Sequence, residues 1–361
     1  MARRVITCLI MTPFLVLLSL SFCSSSRLEG IKSMEDLEID RQLKILNKPY
    51  IKSIETEEGD IFDCIDIYKQ PAFDNPLLKN HSIQMKPSAF PKEVVNATSP
   101  PARPSAQGLR EGCPFGTVPI KRVRKEDLIG AKLFMENKNS YPTDMGSLAA
   151  YHYATRRLAS SPGRNYLGAS AIINIQNPQV KDNQFSQAFV QIRSGPGVHV
   201  NTIQFGWMVY PKIFGDNKTR TFASWTTARE TGCINNLCSG FVQVNPTFPL
   251  GYVLNLKENS IYGGQQYVVR CIIFKDPKSG NWWLAHDNIG QTVGYWPNSL
   301  FTSLSSSASE ISWGGGVFND INEDSPPMGS GHFAEDSTKA AYFKFLRVVD
   351  ESNNMAYPQA N

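Results

Sequence analysis

Among the residues that could do chemistry, the cysteines are the most informative. Cys233 and Cys238 stand in "GCINNLCSG" with four residues between them, and two of those, Asn235 and Asn236, are turn formers. That spacing suits a local disulfide closing a hairpin loop, and it leaves Cys64 and Cys113 to pair in the N-terminal third. Cys271, in "QYVVRCIIF", shares strand parity with Tyr267, Val269 and Ile273 and reads as a buried free thiol rather than a nucleophile. No metal site and no cofactor are expected. The chain has no CxxC, and its five histidines (His81, His152, His199, His286, His332) lack ligand spacing. There is no GxSxG elbow and no papain-type Cys/His arrangement. The glycine run in "SWGGGVFN", Ser312 to Asn319, lacks the spacing and the following Lys-Ser/Thr of a phosphate loop. Three sequons, at Asn80, Asn96 and Asn217, are glycan acceptors in a secreted chain. The six tryptophans all fall after residue 200, where aromatics on a sheet face suit sugars or proline rings and otherwise build a core.

These residues sit on segments of two textures. From Tyr151 onward, short alternating runs recur between Gly, Pro and Asn. "QAFVQIRSG" puts Ala188, Val190 and Ile192 on one face. "VHVNTIQFGWMVYP" puts Ile203, Phe205, Trp207 and Val209 on one face and Thr202, Gln204, Met208 and Tyr210 on the other. The adjacent pair Trp282 and Trp283 must face opposite ways on a regular strand, so one of them points away from the core. Such segments with few helix signals predict an all-β fold, a large antiparallel β-sandwich. Helices are expected near "KEDLIGAKLF" and at "SLFTSLSSSASEI". The N-terminal part differs. "SMEDLEIDRQLKILNK" reads as a helix, with Ser33 and Asp36 in a capping-box spacing, and "EGD" between alternating runs suggests a hairpin. Lys86 to Gly112 is rich in Pro, Ser and Ala and reads as an exposed, extended linker open to proteolytic nicking.

The first residues combine a basic "MARR", an apolar "VITCLIMTPFLVLLSLSF" and small residues in "CSSSR". This is the layout of a cleaved signal peptide, expected to span 1–26. A membrane anchor is the competing reading, and the interrupting Thr, Pro and Ser residues and the lack of a basic stop-transfer cluster count against it. The mature protein is therefore expected to be secreted (extracellular, cell wall or vacuolar) and free of the membrane. A formal net charge of +4 with no dense Lys/Arg block gives no case for nucleic acid, and "KRVRK" (Lys121 to Lys125) reads as exposed linker.

Longer stretches carry a resemblance. "CPFGTVPIKRVRKEDL", "TIQFGWMVYPKIFGDNKTRTFASWTTARETGCINNLCSGFVQVN", "QQYVVRCIIFKDPKSGNWWLAHDNIGQTVGYWPNSLFTSLSSSASEISWGGGVFN" and "MGSGHFAEDSTKAAYFKFLRVVD" resemble, in order, the plant neprosin family. The resemblance implies a signal, a small α+β activation peptide with its linker at 27–127, and a glutamic-peptidase-like β-sandwich at 128–361. Active members are zymogens of acid endopeptidases that cut after proline. Two glutamates face each other across a cleft: one carboxylate activates water, and the other, kept protonated, stabilises the oxyanion. The first falls in a motif like N-x-I-E-x-G-W, here "NTIQFGW", so the position is Gln204; the second falls in W-G-G-E-V, here "WGGGV", so the position is Gly316. An amide can bind an oxyanion but cannot act as base, and glycine offers nothing.

Three readings follow from the substituted pair. The first is a pseudopeptidase that binds proline-rich peptides or proteins, through aromatics such as Tyr210, Tyr295 and one of Trp282 or Trp283, and that also holds its own activation peptide. The second is an active acid endopeptidase, cleaving after proline with an altered dyad; Glu310, Asp287 and Asp320 are the acids considered for rescue. The third and weakest is a carbohydrate-binding sandwich.

Overall fold

In the computed structural model, residues 33–93, 103–104, 108–139, 149–159, 165–227, 232–254, 260–286, 291–334 and 336–359 are described. The chain divides into two units, residues 1–42 and 43–361. The expected signal segment, 1–26, lies outside the described residues, as do Asn96 and Asp287. Among the described residues, no helix is long and apolar enough to cross a membrane.

The described chain begins with helix α1 (Met34–Leu46), entered as the capping-box spacing predicts: Ser33 Oγ accepts from the Asp36 amide at 3.0 Å. Strands β1 (Lys52–Glu55) and β2 (Ile61–Asp66) form the expected hairpin, with Gly59 in its turn at φ 86°. The linker region contributes two short strands, β3 (Lys92–Glu93) and β4 (Arg103–Pro104). Strand β5 (Thr117–Lys121) completes a three-stranded sheet in the order β1-β2-β5, and Cys64 on β2 is bonded to Cys113. "KRVRK" is not exposed linker. It closes β5 and leads into helix α2 (Lys125–Asn139), where Arg122 pairs with Asp63 at 2.6 Å and Arg124 with Asp127 at 2.7 Å.

The rest is β. The strands are β6 (Ala149–Leu158), β7 (Gly168–Asn174), β8 (Phe185–Ser194), β9 (Asn201–Val209), β10 (Arg220–Thr226), β11 (Gly232–Ile234) and β12 (Val242–Gln243). They continue with β13 (Tyr267–Lys275), β14 (Trp282–His286), β15 (Thr292–Trp296), β16 (Glu310–Asp320), β17 (Phe343–Val349) and β18 (Asn354–Ala356). Two mainly antiparallel sheets result. One has six strands in the order β11-β10-β9-β8-β16-β6; the other runs β12-β15-β14-β13-β7-β17-β18-β3, with β4 paired to β13.

Strand parity builds the main core, as the alternation predicts. Ala188, Val190, Ile192, Ile203, Phe205 and Trp207 from the six-stranded sheet meet Ile173, Val269, Cys271, Ile273 and Trp282 from the other. Cys271 is a buried free thiol, pushed up to about 12 by burial.

The expected helix at "SLFTSLSSSASEI" does not form. After Pro297 the chain makes two short 3-10 turns, Asn298–Leu300 and Ser303–Ser305, and Glu310 opens β16. Serine competes for backbone hydrogen bonds and disfavours helix. The amides of Thr302, Ser303 and Leu304 bond instead to the buried Asn201 side chain at 2.9, 2.7 and 3.2 Å.

The outer faces of both sheets are covered as well. Over the larger sheet, Ile65, Ile67, Val118 and Ile120 of the β1-β2-β5 layer pack on Trp283, Tyr295, Val242 and Phe274. Over the smaller sheet, Phe134 of α2 packs with Phe185, Met208, Tyr210 and Phe222. A charged latch adds to this. Arg220 on β10, 1% exposed, holds Asp60 beside the β1-β2 turn, Asp216 at 2.7 Å and the Gly251 carbonyl at 3.1 Å, and Lys121 reaches Asp60 at 2.9 Å.

Candidate functional site

Gln204 and Gly316 share the outer face of the six-stranded sheet, on β9 and β16, with β8 between them. The registers define the surface row by row. Ser224, Gln204, Gln191, Ser312 and Arg157 are cross-strand neighbours in one row. Arg220, Met208, Gln187, Gly316 and Tyr153 form another. Between these rows lies Phe189, opposite Gly206 on one side and Gly314 on the other. Gln204 and Gly316, the two expected dyad positions, are thus two strands and four residues apart, at most about 16 Å between Cα atoms. They stand on one sheet rather than on opposing walls.

Gln204 is 1% exposed, and its Oε1 accepts from the Ser224 hydroxyl at 3.0 Å. The glycine run has two local causes. A Cβ on Gly314 would lie 2.1 Å from the Ala154 carbonyl oxygen, so only glycine fits that approach of β6. A Cβ on Gly316 would lie 2.8 Å from Tyr153 Cε1 and 3.2 Å from Gln187 Nε2.

Carboxylates are scarce on this sheet. Its six strands carry two, Glu310 and Asp320, the first and last residues of β16. Glu310 is on a strand and is held by Arg157 and, at 3.8 Å, by Arg193. It lies six residues from Gly316, about 20 Å along the strand. Asp320 lies about 13 Å away by the same spacing and accepts a hydrogen bond from Asn183. Among the described residues no group of His, Cys, Asp and Glu could hold a metal ion.

Tyr210, Tyr295 and both members of the Trp282/Trp283 pair, one of which was expected to face a ligand, are buried, each for its own reason. Tyr210, 2% exposed, lies beneath α2, with its ring 6.2 Å from Phe134 and 5.2 Å from Phe185; burial and then the Asp320 charge push its phenol up to about 12. Trp282 faces the main core and donates to the Leu304 carbonyl at 2.9 Å. Trp283 does point the other way, as alternation requires, but into the second core under the β1-β2-β5 layer. Tyr295 lies beside it, and its hydroxyl shares a hydrogen bond with His81 at 2.8 Å and accepts from the Gln84 amide at 3.0 Å. Sequence reasoning found the alternation but had no signal for the covering layers. It also passed over Tyr153 and Gln187, whose place beside Gly316 depends on pairings with distant strands.

Both expected disulfides are present, Cys64–Cys113 and Cys233–Cys238. Asn80 and Asn217 are exposed.

The family model described as Neprosin matches residues 182–361, and that described as Neprosin activation peptide matches residues 53–157. Among solved structures, scytalido-glutamic peptidase with a transition state analog inhibitor is similar at 15% identity and a TM-score of 0.33, covering 58% of this chain and 84% of that one. SCP-B, a member of the eqolisin family of peptidases in complex with a tripeptide, is similar at 12% identity and a TM-score of 0.28, covering 58% and 83%. With an activation-peptide segment and a β-sandwich segment matched in order, the chain belongs to the neprosin family.

Proposed function

We propose that this chain is a secreted, catalytically impaired member of its family that binds proline-rich peptides or proteins, with residues 27–127 as its activation segment and 128–361 as the sandwich. The observation that supports the reading is the outer face of the six-stranded sheet, where Gln204 and Gly316, the expected dyad positions, carry no carboxylate and the strands' only carboxylates are at the two ends of β16. A water cannot be activated by an amide, and glycine has no proton to share. A general base and an oxyanion stabiliser are each worth about 10² to 10⁴ in rate. Gln204 can still bind an oxyanion, so the missing base sets the floor: cleavage at least about 10²-fold below that of an intact dyad.

The test is the homogeneous full chain against a library of proline-containing peptides at acid and at neutral pH, with cleavage followed by mass spectrometry and binding by calorimetry. Binding without cleavage is expected. Cleavage that disappears in Gln204→Ala would overturn the reading in favour of an active acid endopeptidase with an altered dyad.

A further inference from the structure

The place left by the missing side chain at residue 316 is filled. The Tyr153 ring, opposite on β6, lies 2.8 and 2.9 Å (Cε1 and Cδ1) from where a Cβ on Gly316 would stand, closer than real Cβ atoms come. The ring is held edge-on to Phe189 (centroids 6.3 Å, 82°) and stacked on Tyr151 (5.8 Å, 10°), yet Tyr153 remains 51% exposed. Glycine at 316 is therefore the condition for Tyr153 to sit here; any larger residue moves the ring.

A second, independent feature borders the same spot. Gln187 is opposite Gly316 on β8 and is 2% exposed. Its Nε2 lies 3.2 Å from the place of that Cβ, and among the described residues its buried Oε1 has no hydrogen-bond partner. Buried acceptors are nearly always paired, and one without a donor is a place that a ligand can complete. A peptide backbone supplies such a donor, the N–H. Aromatic rings lining a groove favour prolines in an extended chain, which enter already ordered.

We propose that Tyr153 and Gln187 form, over Gly316, an uncharged subsite for an extended peptide. Gln187 Oε1 accepts a ligand backbone N–H, and the Tyr153 ring moves outward on its edge strand to pack on the neighbouring proline. This rests on the peptide-binding reading above and assigns it a place and two residues.

The experiment uses the full chain, the probe acetyl-Ala-Pro-Ala-Pro-Ala-amide and its counterpart N-methylated at the alanine amides, with affinities from calorimetry. Gln187→Met, which keeps the shape and removes the acceptor, is expected to weaken the first probe about fivefold to tenfold. N-methylation is expected to cost wild type a similar factor and Gln187→Met much less, as a coupled pair requires. Gly316→Ala, which displaces the Tyr153 ring, is expected to lower the melting temperature. In Gly316→Ala with Tyr153→Ala the melting temperature is expected to recover, which separates a local clash from misfolding. Equal affinity of wild type and Gln187→Met overturns the subsite while leaving peptide binding in place. A folded wild type that binds neither probe overturns the peptide-binding reading, and the subsite with it.

Discussion

Replacing Asp60 by asparagine keeps the shape of the latch on Arg220 and removes its charge. Arg220 is 1% exposed on β10, and Asp60 is 8% exposed, so the pair is desolvated. Removing one partner of a buried pair costs about 3 to 5 kcal/mol. Arg220 keeps Asp216 at 2.7 Å in the variant, which places the loss at the low end, about 3 kcal/mol. For a chain of this size that is a fall in melting temperature of about 4 °C at neutral pH. Acid supplies the control. Burial alone would raise the Asp60 carboxyl, but the Arg220 and Lys121 charges outweigh it and hold it below its ordinary value. A carboxylate depressed in the folded state stabilises fully above its unfolded pKa, about 3.9, and the benefit is lost as pH falls through the folded value. The gap between wild type and Asp60→Asn, followed by circular dichroism melts from neutral to strongly acid solution, is therefore wide at neutral pH and closes below about pH 3.9. A variant that melts with wild type at neutral pH, or a gap that does not narrow in acid, refutes the assignment.

Three further outcomes follow from the packing. Cys271, buried and pushed up to about 12, is expected to react with a thiol reagent only after denaturant is added, as mass spectrometry of native and unfolded samples can show. Trp207 is fully buried and donates to the Asn174 carbonyl at 2.8 Å, so Trp207→Ala is expected to lose about 3 to 5 kcal/mol in urea unfolding. Asp276 accepts from Ser88, from Gln84 at 3.2 Å and from Ser279 at 2.7 Å; Asp276→Ala is expected to raise hydrogen exchange across residues 84–88 and to leave the β16 amides unchanged.

The sequence was most legible where a local rule acts. Alternation placed Ile203, Phe205 and Trp207 in the core, the Ser33–Asp36 spacing opened α1, and Asn235 and Asn236 marked the loop closed by Cys233 and Cys238. It was least legible where two distant segments meet. Nothing near Trp283 or Tyr295 says that Ile65 and Val118 will lie on them, so a residue facing away from one core looks like a surface residue. The helix expected after Pro297 failed for the same kind of reason, since Asn201, about a hundred residues earlier in the chain, captures the amides a helix would have used. Gln204 and Gly316 were expected as dyad positions from a motif. That the third glycine lies against a tyrosine ring from β6 was not, because the pairing of Gly316 with Tyr153 spans about half the chain.

The Cys64–Cys113 bond closes a ring of chain whose ends are 49 residues apart, and the Pro-rich stretch from Lys86 to Gly112 lies wholly inside that ring. A protease that nicks the stretch makes two polypeptides but liberates neither. The first stays shackled through Cys64, and β3 and β4 remain laced into the larger sheet beside β18 and β13. On a gel the nicked protein runs as one species until reductant is added. Shedding the activation segment therefore takes either a cut beyond Cys113 or a reducing step first, so redox conditions and the choice of cleavage point, not nicking alone, decide whether the outer face of the larger sheet is ever bared.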